Sequence, residues 1–185
     1  MNPYWPPTTL TNWLAALRAG EVVAAPAEGV YGYCCDPFSE TALCKLMDIK
    51  QRSTRKGLIV LIQHERQLGA VCDPLGKVER EAVTTYWVDG QPPTTLILAA
   101  KQGLSQLLTG GRDTLAVRCA RAGHMQEYLA AWGHPLVSTS LNNSGEAPAT
   151  EVSTIPADVV ALTLPRPLSG IPSRIYDCAG RRWVR

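Results

Sequence analysis

The 185-residue chain has no run of roughly 18 consecutive apolar residues, so it contains no candidate membrane-spanning helix. Its N-terminal Met1-Asn2-Pro3-Tyr4-Trp5-Pro6-Pro7 lacks the basic and apolar segments of a secretory leader, and none is expected. Charge of one sign is also scarce. The 18 Lys and Arg residues against 16 Asp and Glu leave a net charge of +2, too little to imply a nucleic-acid partner by electrostatics alone. No CxxC occurs among the six cysteines, at positions 34, 35, 44, 72, 119 and 178, and no Cys/His spacing fits a zinc site. Cys34 and Cys35 are adjacent, a poor geometry for bonding to each other. The expectation is free thiols, buried or half-buried, in a reducing cytoplasm. His64, His124 and His134 read as surface or helix-end residues. Neither GxxxxGK followed by Ser or Thr nor GxGxxG is present, so a nucleotide would be bound without a P-loop or Rossmann fingerprint. There is no internal repeat and no low-complexity tract.

What is present describes an ordinary globular chain. Hydrophobic residues make up 45% and charged residues 18%, enough for one core, and residues 1–185 are expected to form a single domain. Leu10, Trp13, Leu14 and Leu17 fall on one helical face, closed by Gly20. Residues 21–25 and 30–33 read as extended, separated by the turn Pro26-Ala27-Glu28-Gly29. Ser39 can cap a helix carrying Leu43, Leu46 and Met47. Residues 58–62, 94–99, 114–119 and 135–138 read as strands. Pro74 is expected at the first position of a helix bearing Val78, Ala82 and Val83. Met125, Tyr128, Leu129 and Trp132 mark another, closed by Gly133. Short extended pieces surround Ile175 and Trp183. The irregular alternation predicts a mixed, twisted α/β sheet with flanking helices.

Two polar segments stand out. Lys50-Gln51-Arg52-Ser53-Thr54-Arg55-Lys56-Gly57 places four fixed cations at a helix-to-strand junction. Ser138-Thr139-Ser140-Leu141-Asn142-Asn143-Ser144-Gly145 places hydroxyls and amides just after a strand. Together they offer a polyphosphate positive charge and many short hydrogen-bond donors. Each taken singly has a plainer reading, a solvated face and a turn respectively.

In order along the chain, five segments resemble the TsaC/YrdC family of threonylcarbamoyl-AMP synthases. They are Pro26-Ala27-Glu28 with Val30-Tyr31-Gly32 and Cys35-Asp36-Pro37; Lys50-Gln51-Arg52 with Lys56-Gly57-Leu58; Leu115-Ala116-Val117-Arg118; Ser138-Thr139-Ser140-Leu141-Asn142 with Ser144-Gly145; and Pro172-Ser173 with Ile175 and Asp177. The resemblance implies a mixed α/β sheet around a concave basic cavity. It implies synthesis of L-threonylcarbamoyladenylate and pyrophosphate from L-threonine, bicarbonate or CO2, and ATP with Mg²⁺. Downstream threonylcarbamoyl-transfer proteins would then modify adenosine 37 of tRNA. Carried over, Lys50, Arg52, Ser140 and Asn142 are the signature polar tetrad. Lys50, Arg52 and Lys56 are expected to face the ATP phosphates, with Thr139, Ser140, Asn142 and Ser173 contributing. Glu28, Tyr31 and Arg118 are expected around threonine: Arg118 on a carboxylate or phosphate, Glu28 on the amine or on Mg²⁺, Tyr31 as a pocket wall. No metal ligand is assigned to the protein, and Arg55 is left to solvent.

Three positions depart from the family pattern. Ala27 stands where the family usually has Thr, Leu141 replaces a smaller residue, and residues 87–95 are longer than the usual segment and lack its Pro-Gly-Pro. They fit a divergent enzyme or a weakened paralogue. An RNA-binding or ribosome-maturation role for the same cavity is the alternative, with weak RNA binding also compatible with catalysis. The chain lacks the Cys clusters and multi-domain length of the hydrogenase-maturation carbamoyltransferases. The expected location is the cytoplasm, without membrane association.

Overall fold

A computed structural model describes residues 4–51, 54–142 and 149–185. Eight strands form one mixed sheet in the order β1-β2-β6-β3-β5-β4-β7-β8. The strands are β1 (Val23–Pro26), β2 (Tyr31–Cys35), β3 (Ile59–Ile62), β4 (Thr94–Ala99), β5 (Thr114–Cys119), β6 (Leu136–Ser140), β7 (Arg174–Asp177) and β8 (Arg182–Trp183). β3 runs parallel to β5 and β4 parallel to β7; the other neighbours are antiparallel. The helices are α1 (Pro7–Arg18), α2 (Glu40–Lys50), α3 (Lys77–Tyr86), α4 (Gln106–Thr109) and α5 (Gly123–Trp132). The mixed α/β fold is as the sequence pattern implies.

Local chemistry sets several boundaries. The Ser39 hydroxyl accepts from Ala42 N–H and starts α2. Gly133, at φ 80°, closes α5. Other boundaries differ from the sequence reading. The helix expected at Pro74 starts at Lys77. The Glu79 carboxylate accepts Gly76 N–H at 2.8 Å and Ala99 N–H at 2.8 Å, fixing both the helix entrance and its seat on β4. β6 continues to Ser140, which pairs with Gly32, so the second polar segment begins inside the sheet. α4 and a 3-10 helix at Glu65–Ala70 have no counterpart in the periodicity.

Alternation divides the core. One sheet face carries Tyr31, Val60, Leu96, Leu115, Val117 and Val137, packed against Leu43 and Leu46 of α2 and Val83 of α3. The other face carries Val23, Ala25, Cys34, Leu61 and Leu136, packed under Trp13 and Leu17 of α1 and Met125, Tyr128 and Leu129 of α5. Burying each such large side chain is worth about 1.5–3 kcal/mol. The Trp13 indole N–H also reaches Ala24 O at 2.9 Å, tying α1 to β1. α1 and α5 cover only one end of this second face. At the other end the same strands present Gly32, Ile59, Ala116, Ser138 and Ser140, and these form a cavity floor instead.

All six cysteines are free, and only Cys44, on α2, is exposed. Burial pushes Cys34, Cys72 and Cys178 up to about 12 and Cys119 to about 11, with Cys35 higher still. These folded values lie above the ordinary 9.0, so the buried thiols cost no stability below pH 9; stability is lost above it, as the unfolded chain ionises first. At pH 8 a disulfide-exchange reagent is expected to titrate one thiol quickly in the native protein and six in denaturant. Several fast thiols in the native protein would contradict this burial.

Candidate active site

The uncovered end of the sheet face opens into a cavity of about 360 Å³. Its walls are the turn between β1 and β2, the segment 56–58 with Thr109 and Arg112, and the C-terminal stretches 171–173 and 184–185. Among the described residues four basic ones, Lys56, Arg112, Arg118 and Arg185, line it.

The β1–β2 turn is closed by Ala27 N–H donating to Val30 O at 3.0 Å. It lies directly against the C-terminal loop, where Gly170 N–H donates to Gly29 O at 2.8 Å. A Cβ at residue 29 would sit 1.9 Å from Ile171 O, so only glycine permits this approach. The turn delivers Glu28 to Arg118, which projects from β5 on the cavity face. Arg118 Nη2 and Glu28 Oε2 are 3.0 Å apart, with side chains 8% and 14% exposed. The contact is an ion pair without hydrogen-bond alignment. Neither Glu28 Oε2 nor Arg118 Nε has a hydrogen-bond partner among the described residues. Buried charges with unspent hydrogen-bonding capacity are uncommon; here Arg118 lines the cavity, and Glu28 sits between Ala27 and Gly29, which line it too.

Lys50, at the end of α2, is 3% exposed. Its ammonium donates to Ser140 O at 2.5 Å, to Asn142 O, and to Asn142 Oδ1 at 3.1 Å. The Ser140 hydroxyl donates to Asn142 Oδ1 at 2.6 Å. Lys50, Ser140 and Asn142 thus come together as the sequence reading expects. Lys50 is set behind the loop, however, and Ser140 is the member of the three that lines the cavity. Arg52, the fourth expected member, lies outside the described residues, as do Ser144 and Gly145. Lys56 lines the cavity and is exposed. Thr139 borders it too, but strand alternation turns its side chain to the α2 face. Ser173 lines the cavity, with its hydroxyl 2.8 Å from Thr95 Oγ1.

Tyr31 is placed differently from its expected position at a pocket wall. It is fully buried in the α2-side core, and its hydroxyl accepts from Leu164 N–H at 2.9 Å. The reason is register: Gly32, not Tyr31, pairs with Ser140 on the cavity face. The sequence reading assigned no role to Arg112, Thr114 or Arg185. Thr114 shares the alternation of Ala116 and Arg118, a signal that was legible. Arg112 follows a glycine pair and Arg185 is the final residue, and neither has a local pattern. Burial and the Arg118 charge hold the Arg185 guanidinium below its ordinary pKa. Among the described residues no group of three or more His, Cys, Asp or Glu could hold a metal ion, and no helix is long and apolar enough to cross a membrane.

Residues 15–184 match the Sua5/YciO/YrdC family model, described as "Telomere recombination". The chain is 36% identical over 159 residues to a threonylcarbamoyl-AMP synthase of Klebsiella pneumoniae, covering 85% of this chain and 82% of that protein. It is 40% identical over 137 residues to one of Idiomarina loihiensis, covering 73% and 72%. Among solved structures it is similar to P. abyssi Sua5 complexed with L-threonine, with a TM-score of 0.81 at 23% identity. That match covers 91% of this chain but 50% of the other, so the chain spans about half the length of that protein. E. coli YciO matches with a TM-score of 0.79 at 20% identity, covering 95% and 86%.

Gly29→Ala is expected to force the turn and the C-terminal loop apart and to cost roughly 1–3 kcal/mol, the range for overpacking. Urea unfolding checks this, and a midpoint equal to the parent's would show that the two walls are not in contact.

Proposed function

Because the chain belongs to the Sua5/YciO/YrdC family, we propose that it is an L-threonylcarbamoyladenylate synthase acting in the cytoplasm. The substrates are L-threonine, bicarbonate or CO2, and ATP. The products are threonylcarbamoyl-AMP and pyrophosphate, the former passing to threonylcarbamoyl-transfer proteins that modify adenosine 37 of tRNA. The observation that carries this reading is the buried Arg118–Glu28 pair, which has unspent hydrogen-bonding atoms and of which Arg118 lines the cavity. An amino acid in its zwitterionic form offers the complementary set: a carboxylate for Arg118 and an ammonium for Glu28.

The chemistry follows in two steps. Glu28 draws a proton from the threonine ammonium, the amine nitrogen adds to the carbon of CO2, and the second proton on the resulting N–H2⁺ adduct passes to solvent, leaving a carbamate. A carbamate oxygen then attacks the ATP α-phosphorus, the bond to the β-phosphate oxygen breaks, and pyrophosphate leaves with the electron pair. Nucleophile and triphosphate are both anionic, so fixed positive charge must offset their repulsion. Lys56, Arg112 and Arg185 supply it along the cavity, and Arg52, outside the described residues, is proposed to add to it. Ser140 and Ser173 offer hydroxyls to phosphate oxygens. Lys50 and Asn142 fix the end of β6 that presents Ser140. Mg²⁺, as the usual companion of ATP, would offset charge on the phosphates.

Pyrophosphate release from ATP tests the reading. Release is expected to require both L-threonine and bicarbonate. Arg118→Ala is expected to lower threonine-dependent release by at least about tenfold, equivalent to roughly 1.4 kcal/mol of transition-state stabilisation. Threonine-independent release, or RNA binding without turnover, would overturn it.

A further inference from the structure

The turn that carries Glu28 is held from behind by α5. Tyr128 Oη donates to Pro26 O at 3.1 Å, in a buried hydrogen bond. His124, one helical turn earlier, places Nε2 3.1 Å from Ala27 O. Because a carbonyl only accepts, the ring that fills this role carries its hydrogen on Nε2. Burial lowers the His124 pKa, which favours the neutral ring. The third carbonyl, Gly29 O, accepts from Gly170 N–H at 2.8 Å. Glu28 therefore sits between peptides anchored on both sides by groups outside the turn.

α5 is itself firmly seated. The Tyr128 ring lies 5.5 Å from that of Trp13 and 5.9 Å from that of Trp5. Trp13 is tied to Ala24 O in β1, the strand that feeds the turn. The Tyr4 ring stands edge-on to His124 at 5.9 Å. Helix, strand and turn thus form one cross-linked unit behind the carboxylate.

We propose that His124 and Tyr128 are positioning residues, which clamp the Pro26 and Ala27 carbonyls and so fix the place where Glu28 meets Arg118 and the substrate amine. The inference rests on the reading of Glu28 and Arg118 as the amino-acid site. Positioning within a fraction of an ångström matters because the amine must be deprotonated and aimed at CO2 in one geometry. A purely structural role predicts loss of stability with all kinetic constants scaled alike. A positioning role predicts a loss confined to threonine.

The test uses the full chain and pyrophosphate release, varying L-threonine and ATP separately. His124→Ala and Tyr128→Phe are each expected to raise the threonine KM by at least about fivefold, with the ATP KM within about twofold of the parent. His124→Gln, whose amide nitrogen can occupy the place of Nε2, is expected to restore the threonine KM to within about twofold. Unchanged threonine KM in both α5 variants, or parallel rises for threonine and ATP, overturns the clamp. Glu28→Gln reports on the reading beneath it. An unchanged threonine KM in that variant overturns the amino-acid site and the clamp together. A raised value there, with both α5 variants at parent level, overturns the clamp alone.

Discussion

Two opposite charges withdrawn from water lose more hydration than their mutual attraction returns unless neighbouring dipoles complete their hydrogen bonding. Glu28 and Arg118 meet that condition incompletely, since the contact is close but leaves polar atoms on both sides without partners among the described residues. Their surroundings are organised around holding them there nonetheless. β5 supplies Arg118 from within the sheet, and the β1–β2 turn supplies Glu28 from above it. The close backbone approach at Gly29 keeps the turn pressed to the C-terminal loop. Replacing either charge by an apolar residue would simplify the core and remove the feature that suits an amino acid.

The same sheet face performs two tasks along its length. Under α1 and α5 it carries Leu61, Leu136 and Cys34, which are large or apolar enough to fill space. Two residues along each strand it carries Ile59, Ser138 and Gly32, which are small or polar enough, apart from Ile59, to leave space. Arg118 pairs in register with Leu61 and so stands at the border between the two regimes. At that border the apolar helix packing lowers the local dielectric, which strengthens the field of a fixed charge acting on a ligand.

Much of this was legible in the sequence, and the illegible parts have physical reasons. β4 and β5 could be read in type and extent, and α5 in type and in its C-terminal end. Ser140, Asn142 and Lys50 could be grouped because polar clusters after a strand and at a helix end are local signals. The partners of Lys50 lie 90 and 92 residues away, so its orientation behind the loop depends on tertiary contact. Tyr31 was misplaced because a one-residue change of phase sends a strand side chain to the opposite face. α4 spans four residues, too few for a period to show. Pro74 carries the same signal for a turn as for a helix start, and the deciding partner of Glu79 was Ala99, far away in sequence. Tyr128 lies on a helix face legible from its spacing and His124 reads as a surface or helix-end residue, but nothing local links either to the turn at Pro26.

The cavity draws its walls from residues 27–32, 56–59, 108–118, 138–140, 171–175 and 184–185, nearly the whole span of the chain. No contiguous fragment contains it, and its first and last contributors meet only when the full sheet is paired. Closing loops of that length is entropically costly, and nothing bound in the cavity offsets the cost until the end. Ligand occupancy is therefore linked to the global unfolding equilibrium rather than to local fluctuations, and a bound substrate stabilises every strand of the sheet at once by mass action. For a chain of this kind, substrate concentration in the cell is also a determinant of how much folded protein persists.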